Sequence, residues 1–486
     1  MPTRKTPSPS PSSSPSVPPS ARKRAGKPAT LPAANAITPL TARLSGYIAA
    51  ATRTALPPAV VEKTKHHLLD TLAAMISGSR LEPGEIAVSY VRSLGGTREA
   101  CVPGTSLVTT AFNAALAGGM LAHADETDDS HQPSFHHPGC SVVPAALAMG
   151  ERQGRSGRHL LRAIALGYDV GARVNFALGA IRFHLAGHST HSFGAHFGAA
   201  AAASAMAGLD ATRVRHALSY AAQQASGIST WMRDPDHIEK AFDFGGMPSS
   251  RGLAAASMVA HGFTGVPDVF AGERNFFVAF SSPHVQPDLL VHELGSTFEI
   301  MNSNIKKWSV GSPIQAALDS TEALVKEHGL KAADVARVVV EIQDHEAAVV
   351  NDRDMPDICL QHLVALVLLD GTVTFASSHD TARMKDRKVM ALRRRIELKP
   401  SPELTAAGGR QAIVTLHLAG GATLRHHTEV VKGTWQNPMS RAEVEAKCLD
   451  LLQPILGRRR TRGLIDHIWN IEKIDDVRAL RPLLRA

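Results

Sequence analysis

Residues 123–139 read His123-Ala-Asp-Glu-Thr-Asp-Asp-Ser-His-Gln-Pro-Ser-Phe-His-His-Pro-Gly139. This stretch holds four carboxylates (Asp125, Glu126, Asp128, Asp129) and four histidines (His123, His131, His136, His137). No other part of the chain is as dense in titratable groups. A polar connection between helices is ordinarily a solvated surface loop. Here the flanks are Ala-rich and helix-like, so packed surface is expected on both sides. Burial of that kind moves carboxylate and imidazole pKa values, which proton transfer at neutral pH requires.

Working outward from this stretch, Thr109–Leu121 reads as a helix with a small-residue face that lets backbones approach closely. Upstream, Pro57-Pro58 opens a helix whose apolar residues (Val61, Leu68, Leu69, Leu72, Met75, Ile76) recur at helical spacing, and Gly78 ends it. A second helix closes near Gly95-Gly96. Downstream, Pro144 is expected to start a helix, Ser156 to cap another, and Asp210 to cap one running through Gln224. Residues 232–252 read as a loop carrying Lys240 close to Gly245-Gly246. That lysine is either an anion anchor or a surface partner of Glu239 or Asp243.

The pattern changes from about residue 296. Thr297–Ile300, Val338–Ile342, Leu392–Leu398, Ile413–Leu418 and Thr423–Val430 read as strands, with a helix from Pro313 to Lys326 and a tight turn at Ala419-Gly-Gly-Ala422. Ser440 and Glu443 form a capping box that restores helix. The expected architecture is therefore mainly α. Residues 38–295 form a large all-helical domain to which 433–486 return, and 296–432 form a smaller α/β lid.

The composition, 44% apolar and 20% charged over 486 residues, is that of a globular chain of about two domains. No apolar run reaches the roughly 18 residues that a membrane span needs. Arg4, Lys5, Arg22, Lys23, Arg24 and Lys27 supply six positive charges before the first acid, Glu62, so most of the net +8 belongs to a Pro/Ser-rich tail. Residues 1–37 are accordingly expected to be a disordered extension without a secretory signal, giving a cytoplasmic protein, and the folded part is not expected to bind nucleic acid. Cys101, Cys140, Cys359 and Cys448 are scattered, without metal-ligand spacing, so no metal and no cofactor is expected.

The residues that converge chemically are the acidic stretch, the His188/His191 segment, Lys240 and Lys306-Lys307. Cations, imidazoles and a hydroxyl (Ser130) suit a small polycarboxylate: the cations neutralise its charges while a histidine moves a proton. Magnesium chelation by Asp125, Asp128 and Asp129 is a different reading, disfavoured because no second acidic triplet faces them and magnesium prefers oxygen to imidazole.

The sequence resembles the 2-methylcitrate dehydratase (MmgE/PrpD) family over roughly residues 38–480. The resemblance rests on Ala122–His131, His137-Pro-Gly139, Val143-Pro-Ala145, Gly198–Ala203, Lys240–Gly246, Ile305–Trp308 and Gln361-His362 ahead of Asp370-Gly371. It implies a homodimeric, cofactor-free lyase, a dehydratase or decarboxylase of a methylcitrate- or aconitate-type acid. The alternative is an epimerase of a dicarboxylate such as iminodisuccinate. It also implies Glu126, His137 and His188 as catalytic groups, with Ser130 and Lys240 binding substrate; His188 is the better match for its segment, though one residue of slippage leaves His191 possible. Beside these, His362 is expected as a further catalytic group and Asp129, Lys306, Lys307 and His191 as substrate-binding residues. Two positions depart from the family pattern. Ser309-Val-Gly-Ser312 stands where a His or Cys is common, and His362 where a Tyr is found. His137, with its pKa raised by Glu126 or Asp129, and His362 on the lid are expected to share the proton traffic.

Because Pro/Ser-rich sequence adds no core, removing residues 1–37 is expected to leave the melting temperature and turnover unchanged. A drop of several degrees on truncation would show that the tail docks.

Overall fold

A computed structural model describes residues 37–280 and 284–486, so the expected disorder of the N-terminal tail lies outside the described residues. Residues 37–486 form one compact unit with, among the described residues, a small cluster of Ala87, Met120 and Ala241 and two large apolar cores. The larger is built from helices Pro39–Ala50, Pro58–Gly78, Glu82–Leu94, Ala111–Ala122, Gly139–Gln153, Gly157–Leu178, Thr190–Ala207, Ala211–Gln224 and Met247–Ala260, joined by the C-terminal helix Arg441–Trp469. The smaller runs from Trp308 to Val431. It packs helices Gln315–His328 and Leu360–Asp370 against a four-stranded sheet, ordered Ile396–Ser401, Val335–Gln343, Ala412–Leu418, Thr423–Thr428. The first pair is parallel (Val338 beside Ile396) and the other two pairs are antiparallel. The fold is thus mainly α with a small α/β part.

The chain passes between the two cores twice, and the two passages lie side by side. Ile305 N–H donates to Gly433 O at 2.9 Å, and Ser130 and Asn304 exchange backbone hydrogen bonds at 3.0 and 2.8 Å. Gly433 is required there: its φ is +96°, and a Cβ would sit 2.0 Å from Ile305 O. Residue 306 therefore enters beside the acidic stretch at the seam.

Four local expectations are corrected. Thr297–Ile300 is no strand: Glu299–Asn302 is a 3₁₀ turn, with Ile300 buried in the helical core and Thr297 O held by Arg173. The strand read at Leu392–Leu398 begins at Ile396, because Asp386 caps a helix, Arg387–Arg393, that uses Leu392. Pro144 lies inside the helix Gly139–Gln153 rather than at its start. Gly118 makes room for it, since a Cβ there would be 3.0 Å from the proline ring. Finally, residues 232–252 are mostly helical. The turn Ile238–Ala241 runs into a π-turn, Phe242–Gly246, and then into Met247–Ala260.

That π-turn is set by backbone contact. A Cβ on Gly119 would lie 2.3 Å from Gly245 O, and one on Gly245 would lie 2.0 Å from Gly119 O. Two helical backbones therefore touch where the helix Ala111–Ala122 nears the acidic stretch. Gly119→Ala is expected to cost about 2–3 kcal/mol by overpacking. Gly46→Ala, where a Cβ meets nothing within 4 Å, should be neutral or stabilise by up to about 1 kcal/mol. Equal denaturation midpoints for the two variants would contradict this contact.

Candidate active site at the seam between the cores

The acidic stretch is buried, and each of its carboxylates is matched by groups from different parts of the chain. Asp125 folds back on its own loop: Thr127 N–H donates to Oδ1 at 3.0 Å and Thr127 Oγ1–H to Oδ2 at 2.5 Å. His379 Nε2, from the smaller core, stands 3.0 Å from the same Oδ2. Glu126 pairs through Oε1 with Lys240 and through Oε2 with Lys306, 3.2 Å away, whose ammonium also donates to the Glu126 carbonyl at 2.7 Å. Asp128 lies 3.1 Å from His137 Nδ1, 3.0 Å from His123 Nδ1 and 3.7 Å from Lys306 Nζ. Asp129 receives Tyr168 Oη–H at 2.5 Å, Gly139 N–H at 2.9 Å and His67 Nδ1 at 2.5 Å.

Local chemistry puts these side chains in place. His237, in the left-handed region at φ +61°, turns the chain into the short helix that carries Lys240, and Asp234 accepts the Lys240 N–H at 2.9 Å. The π-turn then presents Phe244, which stacks on His191 at 3.9 Å and on His123 at 4.3 Å. The Lys240 ammonium sits 5.6 Å from the Trp231 ring and 5.4 Å from the Phe244 ring. Cation–π attraction therefore adds to its ion pair.

Burial alone would raise the Glu126 pKa, but Lys240 and Lys306 outweigh it and hold the carboxyl well below the usual range. Asp128 is likewise held well below its ordinary value, by His123 and His137 against burial. The imidazoles move the other way. Burial pushes His137 down, against the opposing pull of Asp128, and pushes His191 and His237 well down. The expected rise at His137 is corrected on two counts: Asp128 holds the ring, not Glu126 or Asp129, and the net shift is downward. The free site thus holds the carboxylates of Glu126 and Asp128, two ammoniums, and the imidazoles of His137, His191 and His237 shifted toward their neutral form.

Glu126, His137, His191, Lys240 and Lys306 are brought together. Ser130 lines an adjoining small cavity with Asn304, Lys306, Ser312, Gln315 and Arg410. Four other expected site residues stand apart. His188 stacks on Phe183 at 4.1 Å, away from the cluster, so His191 takes the position left open between them. Lys307 turns into the smaller core, pairing with Asp319 at 3.1 Å and Glu322 at 2.7 Å over the Trp308 ring. Asp129 is spent on His67, Tyr168 and Gly139, anchoring the loop rather than facing a ligand. His362 is buried within the smaller core, where Arg393, Arg383 and Asp380 are its charged neighbours and burial lowers its pKa to about 4. The imidazole from that core that reaches the acidic stretch is His379, which sequence reasoning missed together with Asp357, His237 and Arg410. His237 lies only three residues before Lys240, but nothing local in the sequence marks His379.

His123, Glu126 and His237 bring ligand atoms within 4.8 Å of one another, as do His123, Asp128 and Cys140. Two imidazoles and a carboxylate suit a transition-metal dication. However, both Glu126 oxygens already face ammoniums, and Lys306 also approaches Asp128, so a dication there would meet two like charges. Among the described residues, no helix is long and apolar enough to cross a membrane.

The profile described as the MmgE/PrpD N-terminal domain matches residues 42–287, and that of the MmgE/PrpD C-terminal domain matches 308–471. Human cis-aconitate decarboxylase is 27% identical over 88% of this chain and 90% of its own length. The mouse protein of the same name is 24% identical over 89% and 90%. A cis-aconitate decarboxylase of Aspergillus terreus is 21% identical over 93% and 97%.

Removing one ammonium from buried Glu126 leaves its charge half-compensated. Lys306→Met, and to a lesser degree the less buried Lys240→Met, is expected to destabilise the fold by about 3 kcal/mol or somewhat less, since the other lysine remains. Chemical denaturation at neutral pH checks this; an unchanged midpoint in both variants would show that Glu126 does not depend on them.

Proposed function

The chain belongs to the MmgE/PrpD family, and from that premise we propose that it is a lyase that decarboxylates an aconitate-type tricarboxylate. The observation that carries this reading is the convergence of Lys240 and Lys306 on Glu126 beside His137, whose ring Asp128 holds. The relatives named above support the choice of decarboxylation over dehydration, and they give no support to epimerisation.

In the free site, desolvation keeps His137, His191 and His237 uncharged. A trianion entering next to them reverses the local potential, so imidazole takes up a proton as substrate binds. The ammoniums of Lys306 and Lys240, with Arg410 and the Ser130 hydroxyl at the adjoining cavity, neutralise the carboxylates that stay. The bond to the third carboxylate then breaks, carbon dioxide leaves, and its bonding electrons pass into the substrate's unsaturated system. His137 delivers its proton to the resulting carbanion, restoring the neutral ring. One proton is consumed per carbon dioxide released. Charge neutralisation by fixed cations is the larger contribution in such a site, and a positioned acid adds roughly 10²- to 10⁴-fold.

Proton NMR of the purified protein incubated separately with cis-aconitate, 2-methylcitrate and iminodisuccinate tests the reading. Carbon dioxide release from cis-aconitate alone is expected, with His137→Asn lowering the rate by about 10²-fold or more. Loss of water from 2-methylcitrate, epimerisation of iminodisuccinate, or no turnover of any of them would overturn it.

A further inference from the structure

The segment Thr374–His379 leaves the smaller core and docks on the helical one at three points. The Phe375 ring packs against the helical core. The Phe375 N–H donates to Asp450 Oδ2, on the C-terminal helix, at 2.7 Å. His379 Nε2 reaches Asp125 Oδ2 at 3.0 Å. The segment is braced internally by the Thr374/Ser377 capping box and by the Phe375 ring, 4.4 Å from that of His379.

The chemistry of His379 follows from what its two nitrogens face. Nδ1 lies 2.9 Å from the Phe375 carbonyl oxygen, which can only accept, and 3.1 Å from Ser378 Oγ, whose own hydroxyl donates to that carbonyl; Nε2 stands at ion-pair distance from a carboxylate. With a carbonyl oxygen against one nitrogen and a carboxylate against the other, the charged form of the ring is favoured. Asp125, its partner, is the residue whose carboxylate ties down Thr127 and so closes the turn with Glu126 at its centre.

We propose that His379 is a positioning residue of this site. Through Asp125 it locks the turn that holds Glu126 between Lys240 and Lys306, so that the site is complete only while segment 374–379 is docked. This rests on the lyase reading only where turnover is concerned. The family resemblance in the sequence does not single out His379, and the residue touches neither lysine.

The titratable groups facing His379 are Asp125 and Asp357, with Asp380 next to it in sequence. Burial lowers its pKa, but the two facing carboxylates more than reverse this and push it up to about 9. Because the folded value lies above the ordinary one of about 6.5, the clamp is fully present below pH 6.5 and is lost as pH rises through about 9.

Hydrogen exchange of the full-length protein, followed by mass spectrometry, reads the clamp without any substrate. At pH 7, His379→Asn is expected to speed exchange in both 123–130 and 374–379 by tenfold or more, and the ratio of variant to wild type should fall toward one above pH 9. Asp125→Asn should do the same, with the double variant no faster than either single one, and His379→Lys, which keeps a cation, should restore part of the protection. In turnover assays with cis-aconitate, His379→Asn should lower kcat more than it raises KM and remove a limb of the pH profile near 9. Unchanged exchange in 123–130, or additive effects in the double variant, would overturn the proposal. If the wild type turns over no polycarboxylate, the lyase reading fails while the exchange result still decides the clamp.

Discussion

Everything around the seam depends on keeping the Glu126 carboxylate charged away from water. Taking such an ion out of water costs several kcal/mol, and only close, well-placed counter-charges offset that. The chain meets the requirement with two ammoniums remote in sequence. Lys240 is carried by the turn before Phe242–Gly246, and Lys306 by the passage between the cores. A third, Lys447 from the C-terminal helix, pairs with Asp70 at 2.6 Å and donates to the Thr127 carbonyl at 2.9 Å. The return of the C-terminal helix to the first core is therefore part of how the acidic loop is held, besides the apolar surface it buries through Val444, Leu451 and Leu452.

The same constraint explains the unusual backbone nearby. Lys240 and Phe244 reach the acidic stretch because Gly119 and Gly245-Gly246 let two helices meet at backbone contact, one of them widened into a π-turn. Such turns recur at functional sites, since the extra residue re-aims the side chains that follow. Packing thus creates the electrostatics: it desolvates the imidazoles of His137, His191 and His237 enough to leave them neutral and places two cations beside them. A site of this kind has little affinity for protons until an anion arrives.

Much of this was legible in the sequence, and the limits are instructive. Glu126, His137, Lys240 and Lys306 stood out through composition and family resemblance, and the structure brings them together. Between neighbours, however, sequence could not choose. Lys306 and Lys307 are adjacent, yet one points into the seam and the other toward Asp319 and Glu322; His188 and His191 lie three residues apart, and a start of helix at Thr190 separates them. Asp129 belongs to the same acidic run as Glu126 but is consumed by His67 and Tyr168, partners 62 and 39 residues away. His362 fell where the family has a Tyr, and the smaller core buried it; His379 offered no local signal and reached Asp125 across the seam.

By itself the sequence determined the two-part architecture and the chemical character of the site. Periodicity, caps and turn residues are local properties, and a cluster of acids and histidines next to small-residue helices is visible wherever it occurs. Only the tertiary structure decided which carboxylate meets which cation, and hence which groups are charged, neutral or structural. Those outcomes depend on distances of about 3 Å between residues far apart in the chain and on how much water remains around them, and neither is encoded in any short stretch.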